Sequence, residues 1–451
     1  MISWRPLLFA AAALALICEL MVPPVVGVAD NGDFGKLLGR FGVGSGRVFE
    51  YANTRFYADA KFYYRSGFTS SELLLVVPAV AVGRAFSGDG SLDLRAVGAI
   101  HAAVFLAAVA LFLRLVDDPV FAAAALLLFC DFLYVGYLNS FYMDPAAWLF
   151  TILAAVFYLR AIRFRRLADT AALFIAMLLA VFSKPQYAVL GPWFALLFWL
   201  ARAVLCGGRK WIAAGAAAAL LIASWTSYRF FAPPGYAAMN VFTVIFKQIL
   251  PNTADPERAL TALGLDSSFR RWSGLQAYEP GSPATDPAFC AALLQRTSYR
   301  KIGQFYLMHP DDAWRALRTS LDEAGSFRSP LGNFDSESGR PPAAQYDGFS
   351  WISRVRGRLF YGHGTRLFVT FTGIGLLAMA LVYRRRKLAP GAAAGVVVLA
   401  GMAFASLLIS ALADVFDQTR HHLVSFALFD LLLLAALGLT RKARVPKSAP
   451  S

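Results

Sequence analysis

Charged residues are scarce in this sequence. Asp, Glu, Lys and Arg make up 16% of its 451 residues, well short of the roughly 25% of a soluble domain, which excludes a solvated globular body. Cysteine is scarcer still, with Cys18, Cys130, Cys206 and Cys290 the only four. They show no paired spacing and three lie in or beside apolar runs, so neither a disulfide framework nor a zinc site is expected. Internal repeats and low-complexity tracts are missing, apart from Ala- and Leu-rich runs such as 213–219. What fills the chain is 58% hydrophobic and 14% aromatic residues, with a mean hydropathy of +0.54. Several runs approach the ~20 apolar residues that cross ~30 Å of hydrocarbon at ~1.5 Å per residue. The expectation is an all-α polytopic membrane protein.

Acidic residues are fewer than basic ones, and the formal net charge is +15. The basic runs flank apolar segments, so they read as topology signals and lipid-headgroup contacts, and no nucleic-acid partner is expected. Arg5 precedes the first apolar run, but Pro23-Pro24 and the lack of a small-residue cleavage site before Asp30 point to an uncleaved anchor.

Hydropathy and charge parity together predict about ten crossings, near 7–28, 96–115, 119–138, 146–162, 169–183, 186–205, 211–231, 365–383, 389–412 and 422–439. The run 73–86 is short, is broken by Pro78 and contains Arg84. At helical rise it covers about 21 Å, so it reads as re-entrant or interfacial. With the N-terminus inside, this places Arg163-Phe164-Arg165-Arg166, Arg209-Lys210, Arg384-Arg385-Arg386-Lys387 and Arg441-Lys442-Ala443-Arg444 in the cytoplasm. Counting 73–86 as a span would put all of them outside, against the positive-inside rule. Three parts follow. Residues 1–231 form an N-terminal membrane module whose first external loop, 29–95, carries interfacial helices. Residues 232–364 form a large external loop subdomain, and 365–451 form the last helices and a basic cytoplasmic tail.

The polar clusters then fall on one external face. The stretch Val28-Ala29-Asp30-Asn31-Gly32-Asp33-Phe34-Gly35-Lys36 puts two carboxylates in a Gly-interrupted turn behind the first helix. A charge at mid-bilayer costs roughly 2.5 to 3.5 kcal/mol, less at the interface. The turn is either a polar helix stop or a working site. Behind it, 37–72 mixes Phe49, Tyr51, Phe56, Tyr57, Phe62, Tyr63 and Tyr64 with Arg47, Arg55, Lys61 and Arg65, which reads as interfacial helices over a cavity. Asp144, followed by Pro145, is an N-cap or a carboxylate at the cavity rim. Lys184, before Pro185, is a snorkelling lysine or a point charge for a phosphate. Arg420-His421-His422, with Asp414 and Asp417 upstream, is an interfacial cluster or a means of neutralising a lipid phosphate. Joint metal ligation by His421 and His422 is disfavoured, because neighbours on a helix diverge by about 100°. In the large loop, Asp311 and Asp312 read as a cap on the helix after Pro310.

These motifs carry a family resemblance. An acidic turn after the first crossing, interfacial segments behind it, a second acid opening a later external helix and a long external loop together resemble the GT-C class of membrane glycosyltransferases. More narrowly, Asn31-Gly32-Asp33-Phe34-Gly35, Leu138-Asn139-Ser140-Phe141-Tyr142-Met143-Asp144-Pro145, Ser183-Lys184-Pro185-Gln186-Tyr187 and Gly332-Asn333-Phe334 resemble bacterial hexosyltransferases of the S-layer-glycan type. The family usually carries an adjacent acidic pair or Asp-x-Asp, whereas this chain has Asp30-x-x-Asp33. The resemblance implies a polyprenyl-phosphate-linked sugar donor, a glycan or glycolipid acceptor and surrounding membrane lipids. It implies Asp30 or Asp33 as general base with Asp144 orienting a substrate, and Lys184, Arg420, His421 or His422 on the donor phosphate. Asn31, Asn139, Tyr142 and Gln186 become substrate-binding candidates, and a divalent cation, if any, falls to Asp30 and Asp33. Two other classes stay open: a polymerase or ligase of lipid-linked glycans, which leans on loop arginines and histidines, and a transporter, which would place its charges at mid-membrane.

Sidedness is directly testable. In a background lacking the four native cysteines, a cysteine at Asn31 should react with a membrane-impermeant maleimide in intact cells, and one at Arg165 only after lysis. The opposite pattern would invert the topology.

Overall fold

The computed structural model describes residues 3–44, 49–58, 67–87, 89–385 and 388–440. Arg47, Lys61, Phe62, Tyr63, Tyr64, Arg65, Arg386, Lys387 and the basic tail from Arg441 lie outside them. Among the described residues, Leu94–Leu113, Asp144–Phe164, Lys210–Phe230, Gly364–Arg384, Pro390–Leu412 and Leu423–Thr440 are helices long and apolar enough to cross a membrane. A seventh span results if Pro119–Phe129 and Phe132–Leu138, bent by 46°, count as one.

The remaining segments of the ten-crossing expectation form shorter helices, for local reasons. The first helix is Trp4–Leu20, 17 residues, so it ends well before residue 28. Pro23 and Pro24 follow it, and proline supplies no amide to an ongoing helical ladder. Residues beyond them run extended: Gly27 N–H donates to the Asn333 carbonyl (3.1 Å), Ala29 N–H to that of Gly332 (2.9 Å), and Val26 bridges Phe334. Leu167–Val181 has 15 residues. The run 186–205 divides into a 3-10 turn Pro185–Val189, the helix Leu190–Leu200 and the short helix Arg202–Leu205.

The loop after the first helix departs from the expected interfacial helices. Val43–Gly44, Arg55–Ala58 and Leu92–Asp93 form a three-stranded antiparallel sheet in sequence order, so the protein is not wholly α. Strand formation suits alternating residues with one face packed, and Phe56 is buried between exposed Arg55 and Tyr57. The helix Leu73–Phe86 occupies the run read as re-entrant or interfacial and packs on Leu94–Leu113.

Helix starts follow cap chemistry. Asp118 and Asp93 accept backbone N–H groups at the first turns of their helices, and Pro145 sits at the opening of Asp144–Phe164. In Pro310–Ala324 the cap position is His309, while Asp311 and Asp312 lie inside the first turn, where they complement the helix dipole. The two acids therefore lie two and three residues past the cap position expected for them.

The membrane helices share one core, into which Leu317, Leu321, Ala324, Phe327 and Leu331 of the large loop also pack. Residues 241–316 of that loop have a core of their own around Val241, Phe242, Phe246 and Leu260. Asp430, inside the last helix, is met by Arg356 (2.6 and 2.9 Å) and by the Tyr134 hydroxyl (2.8 Å), which satisfies a buried acid.

Asn139 ties the first helix to this frame. Its Nδ2 donates to the carbonyls of Leu20 (3.0 Å) and Val26 (2.8 Å), and Gly27 and Gly98 lie so close to it that a Cβ on either would collide with Asn139. Asn139→Ala leaves buried carbonyls unpaired, costing about 1 to 3 kcal/mol. The expected outcome is a lower melting temperature of the detergent-solubilised protein; unchanged melting would remove Asn139 from this role.

Candidate active site

The acidic turn is built from its own side chains. Asp30 Oδ1 accepts from the amides of Gly32 (2.7 Å) and Phe34 (3.0 Å), and Asn31 Oδ1 accepts from the Asp33 amide (3.1 Å). Gly32 has φ +97°, a left-handed conformation glycine adopts without steric cost. The Tyr142 hydroxyl donates to the Ala29 carbonyl (2.6 Å) and accepts from the Asn31 amide (3.0 Å). The turn is thereby clamped to the segment that leads into Asp144.

Its product is the placement of Asp33. One carboxylate oxygen meets Lys36 Nζ at 2.7 Å and the other meets Arg420 Nη1 at 2.9 Å. Arg420 Nη1 also reaches Asp144 Oδ2 (3.4 Å), its Nε reaches Asp417 (3.2 Å), and its guanidinium lies 4.4 Å from the Tyr142 ring centroid. Asp144 is fully buried; its Oδ1 accepts from the Tyr187 hydroxyl (2.7 Å) and from Lys184 Nζ (3.3 Å). Asp33 and Asp414 keep 21% and 23% side-chain exposure while Lys36, Lys184 and Arg420 are buried. Access to the cluster therefore runs past those two acids.

The electrostatics separate the two acids of the turn. Burial pushes the Asp30 carboxyl up to about 6 against the pull of its two amide donors. Burial acts the same way on Asp33, but the Lys36 ammonium and Arg420 guanidinium outweigh it and hold Asp33 well below the usual carboxylate range. Burial lowers Lys184 despite Asp144 beside it. The same cause raises Asp414 and Asp417 against the nearby cations.

His421 is held neutral, its pKa driven well below the ordinary imidazole value by burial and then by Lys184 and Arg420. Arg420 Nη2 lies 3.3 Å from its Nε2. A guanidinium and an ammonium only donate, and Lys184 Nζ lies equally far, 3.3 Å, from Nδ1, so a donor approaches each ring nitrogen. Nδ1 also faces Gln186 Oε1 at 3.1 Å and Asp414 at 3.0 Å. Gln186 in turn donates to Ser410 Oγ (3.0 Å) and to the His421 carbonyl (3.1 Å).

Not every predicted residue joins. His422 Nδ1 bonds the Gln418 carbonyl (2.8 Å) and its ring lies toward Phe426, because one residue of helix turns it away from His421. Asn139 serves the frame described above. Asn31 and Tyr142 hold the turn through backbone bonds, so their contribution is to shape the site wall. Lys36, Asp414 and Asp417 do belong. Their signals in the sequence were a lysine directly ahead of Leu37-Leu38 and acids three and six residues before Arg420.

The Asp30–Asp33 pair does not fit a divalent cation in this arrangement. Asp30 Oδ1 is committed to amides and both Asp33 oxygens to side-chain cations. Among the described residues no three His, Cys, Asp or Glu side chains gather as a metal site.

Two solved structures of the archaeal oligosaccharyltransferase AglB from Archaeoglobus fulgidus are similar to this chain, one with an inhibitory peptide and a dolichol-phosphate, one tethered to an acceptor peptide. Each is 15% identical with a TM-score of 0.40. The match covers 96% of this chain and 50% or 49% of theirs, so the chain spans about half their length. No curated protein matches. The profile of the YfdI N-terminal transmembrane domain matches residues 2–447, nearly the whole sequence, and the chain belongs to that family.

Proposed function

We propose that this protein is an inverting GT-C glycosyltransferase that moves a hexose from a polyprenyl-phosphate carrier to a cell-surface glycan or glycolipid. In this reading it has ten crossings, cytoplasmic termini and a site on the external face of a bacterial inner membrane. The observation that carries the reading is Arg420 held between Asp33 and Asp144, with Lys36 and Lys184 in the same network. A partly exposed carboxylate beside buried cations supplies both things the transfer needs: a proton acceptor and a counter-charge for a departing phosphate.

In the reaction, the acceptor hydroxyl oxygen bonds to the anomeric carbon as the bond from that carbon to the carrier phosphate breaks. The bonding pair leaves on the phosphate oxygen, and the hydroxyl proton passes to Asp33. Lys184 and Arg420 stabilise the phosphate through charge-assisted hydrogen bonds. A carboxylate as acidic as Asp33 in the free protein is a weak base. An arriving phosphate competes for Arg420 and Lys36, and each contact that Asp33 gives up raises its basicity. Asp144 keeps Lys184 and Arg420 in place, Asp30 holds the turn, and neutral His421 links Arg420 to Gln186 and Asp414.

A polymerase or ligase of lipid-linked glycans would draw on arginines and histidines of the large loop. Here the loop contributes Ser329, bonded to Asp417 (3.1 Å), and Arg328 turns to Asp347 and the Tyr346 carbonyl. Mass spectrometry of surface glycans with and without the protein names the transferred sugar and its acceptor together. Retention of every monosaccharide residue, with shortened chains instead, would favour the polymerase.

Asp33→Asn should lower kcat by about 100- to 10,000-fold, the usual contribution of a general base. Asp30→Asn should retain most activity, since an amide oxygen accepts the same two backbone bonds. The opposite ranking, in membranes with polyprenyl-phosphate hexose as donor, moves the base to Asp30.

The pH profile gives a second check. An Asp30 base works only when ionised, so kcat/KM would fall as pH drops through about 6. Asp33 stays ionised through that range, so the proposal expects a flat profile there. A limb near 6 that disappears in Asp30→Asn would overturn it.

A further inference from the structure

Glu72 and His101 are both fully buried and take no part in the chemistry above. Glu72 Oε1 lies 2.6 Å from His101 Nε2, and its Oε2 accepts from the Ala146 amide at 2.8 Å. Ala146 is the third residue of the helix that opens with Asp144, so Glu72 fills one of the donor positions a helix start leaves open. His101 Nδ1 is 2.7 Å from the Leu138 carbonyl. A carbonyl only accepts, so Nδ1 carries a proton, and the contact between Nε2 and Glu72 must hold one more. Whether that proton rides on oxygen or nitrogen, the pair has no net charge, which is what permits its burial.

The two residues before Glu72 bind the other half of the site. Ser70 Oγ donates to the Ser183 carbonyl (2.5 Å), Ser71 Oγ to that of Leu179 (2.7 Å), and the Ser71 amide to that of Phe182 (2.8 Å). Ser183 immediately precedes Lys184. One tripeptide, Ser70-Ser71-Glu72, therefore grips the chain just before Lys184 and the helix turn just after Asp144, while His101 grips the other end of the loop that leads to Asp144.

We infer that Glu72 and His101 are positioning residues of the transfer site, a buried proton-sharing strut that fixes Asp144 relative to Lys184 and so holds Arg420 and the donor phosphate in register. The inference rests on the transferase reading for its kinetic consequence, but its structural consequence stands apart from it. A displacement of about 1 Å at a reacting centre costs on the order of 100-fold in rate.

The test uses the full-length protein in nanodiscs with Glu72→Gln, Glu72→Leu and His101→Phe, measuring donor turnover and amide hydrogen exchange. A glutamine repeats the strut: its amide N–H donates to His101 Nε2 and its carbonyl accepts from Ala146. Glu72→Gln should keep kcat within threefold of the wild type. Glu72→Leu and His101→Phe should lower kcat about 10- to 100-fold with little change in donor KM, and the double variant should cost no more than the worse single. Exchange should speed up in 138–146 for all three of these deletions, and in 182–187 for those lacking Glu72, with the other helices unchanged. If Glu72→Gln is as inactive as Glu72→Leu, the residue moves a proton and the strut is overturned; so is it if Glu72→Leu leaves exchange at 138–146 at the wild-type rate. If Glu72→Leu fails to fold, the Glu72→Gln and His101→Phe pair decides on the same two readouts. Loss of protection in a protein that transfers no sugar at all, wild type included, would sink the transferase reading and leave the strut standing.

Discussion

A guanidinium withdrawn from water must be surrounded by acceptors, and in this protein that guanidinium is Arg420. Its side chain is 3% exposed and meets Asp33, Asp144 and Asp417. Taking such ions out of water costs several kcal/mol per ion, recovered only when every partner is correctly placed. The partners come from the turn behind the first helix, the start of the Asp144 helix and the approach to the last helix. The fold around the site can be understood as what is required to bring those three together.

Two features of the backbone meet that requirement. The chain after the first helix runs extended, so Val26–Ala29 can pair with Gly332–Phe334 of the large loop. That loop then closes over the acidic turn, where the Glu50 carbonyl lies so close to Gly332 that a Cβ would overlap it. The Asp144 helix begins in a wholly buried setting, with Tyr187, Lys184 and Glu72 supplying its polar partners. Irregular backbone can be buried here because protein groups meet its N–H and C=O groups, as Asn333 does for Gly27 and Glu72 for Ala146.

Several members of this buried polar cluster stand out in the sequence, for a physical reason. In an apolar chain a charged residue is expensive to bury, so each one that interrupts the ends of hydrophobic runs stands out, as Asp33, Asp144, Lys184 and Arg420 do. Lys36 was less visible because a single lysine near an interface resembles ordinary snorkelling, although here it lies against Phe68 and Tyr236 and bonds Asp33. The strands at 43–44, 55–58 and 92–93 were missed because an aromatic and basic stretch has the composition of an interfacial helix as well. Strand pairing depends on residues far along the chain, such as Arg55 with Asp93.

The sequence by itself determined that the chain is a membrane protein and that its polar groups collect at the ends of apolar runs, because hydrocarbon tolerates neither unpaired charge nor unpaired backbone. It also carried the order of the motifs. Only the tertiary structure decided which charges face one another: Arg420 with Asp33, 387 residues apart, His421 toward the cluster and His422 away from it, Asp30 as a turn-holder and Asp33 as the group reached by cations. Those outcomes depend on distances of a few ångströms between segments remote in the chain, and the hydrophobic pattern, which sets where helices begin and end, carries no information about such distances.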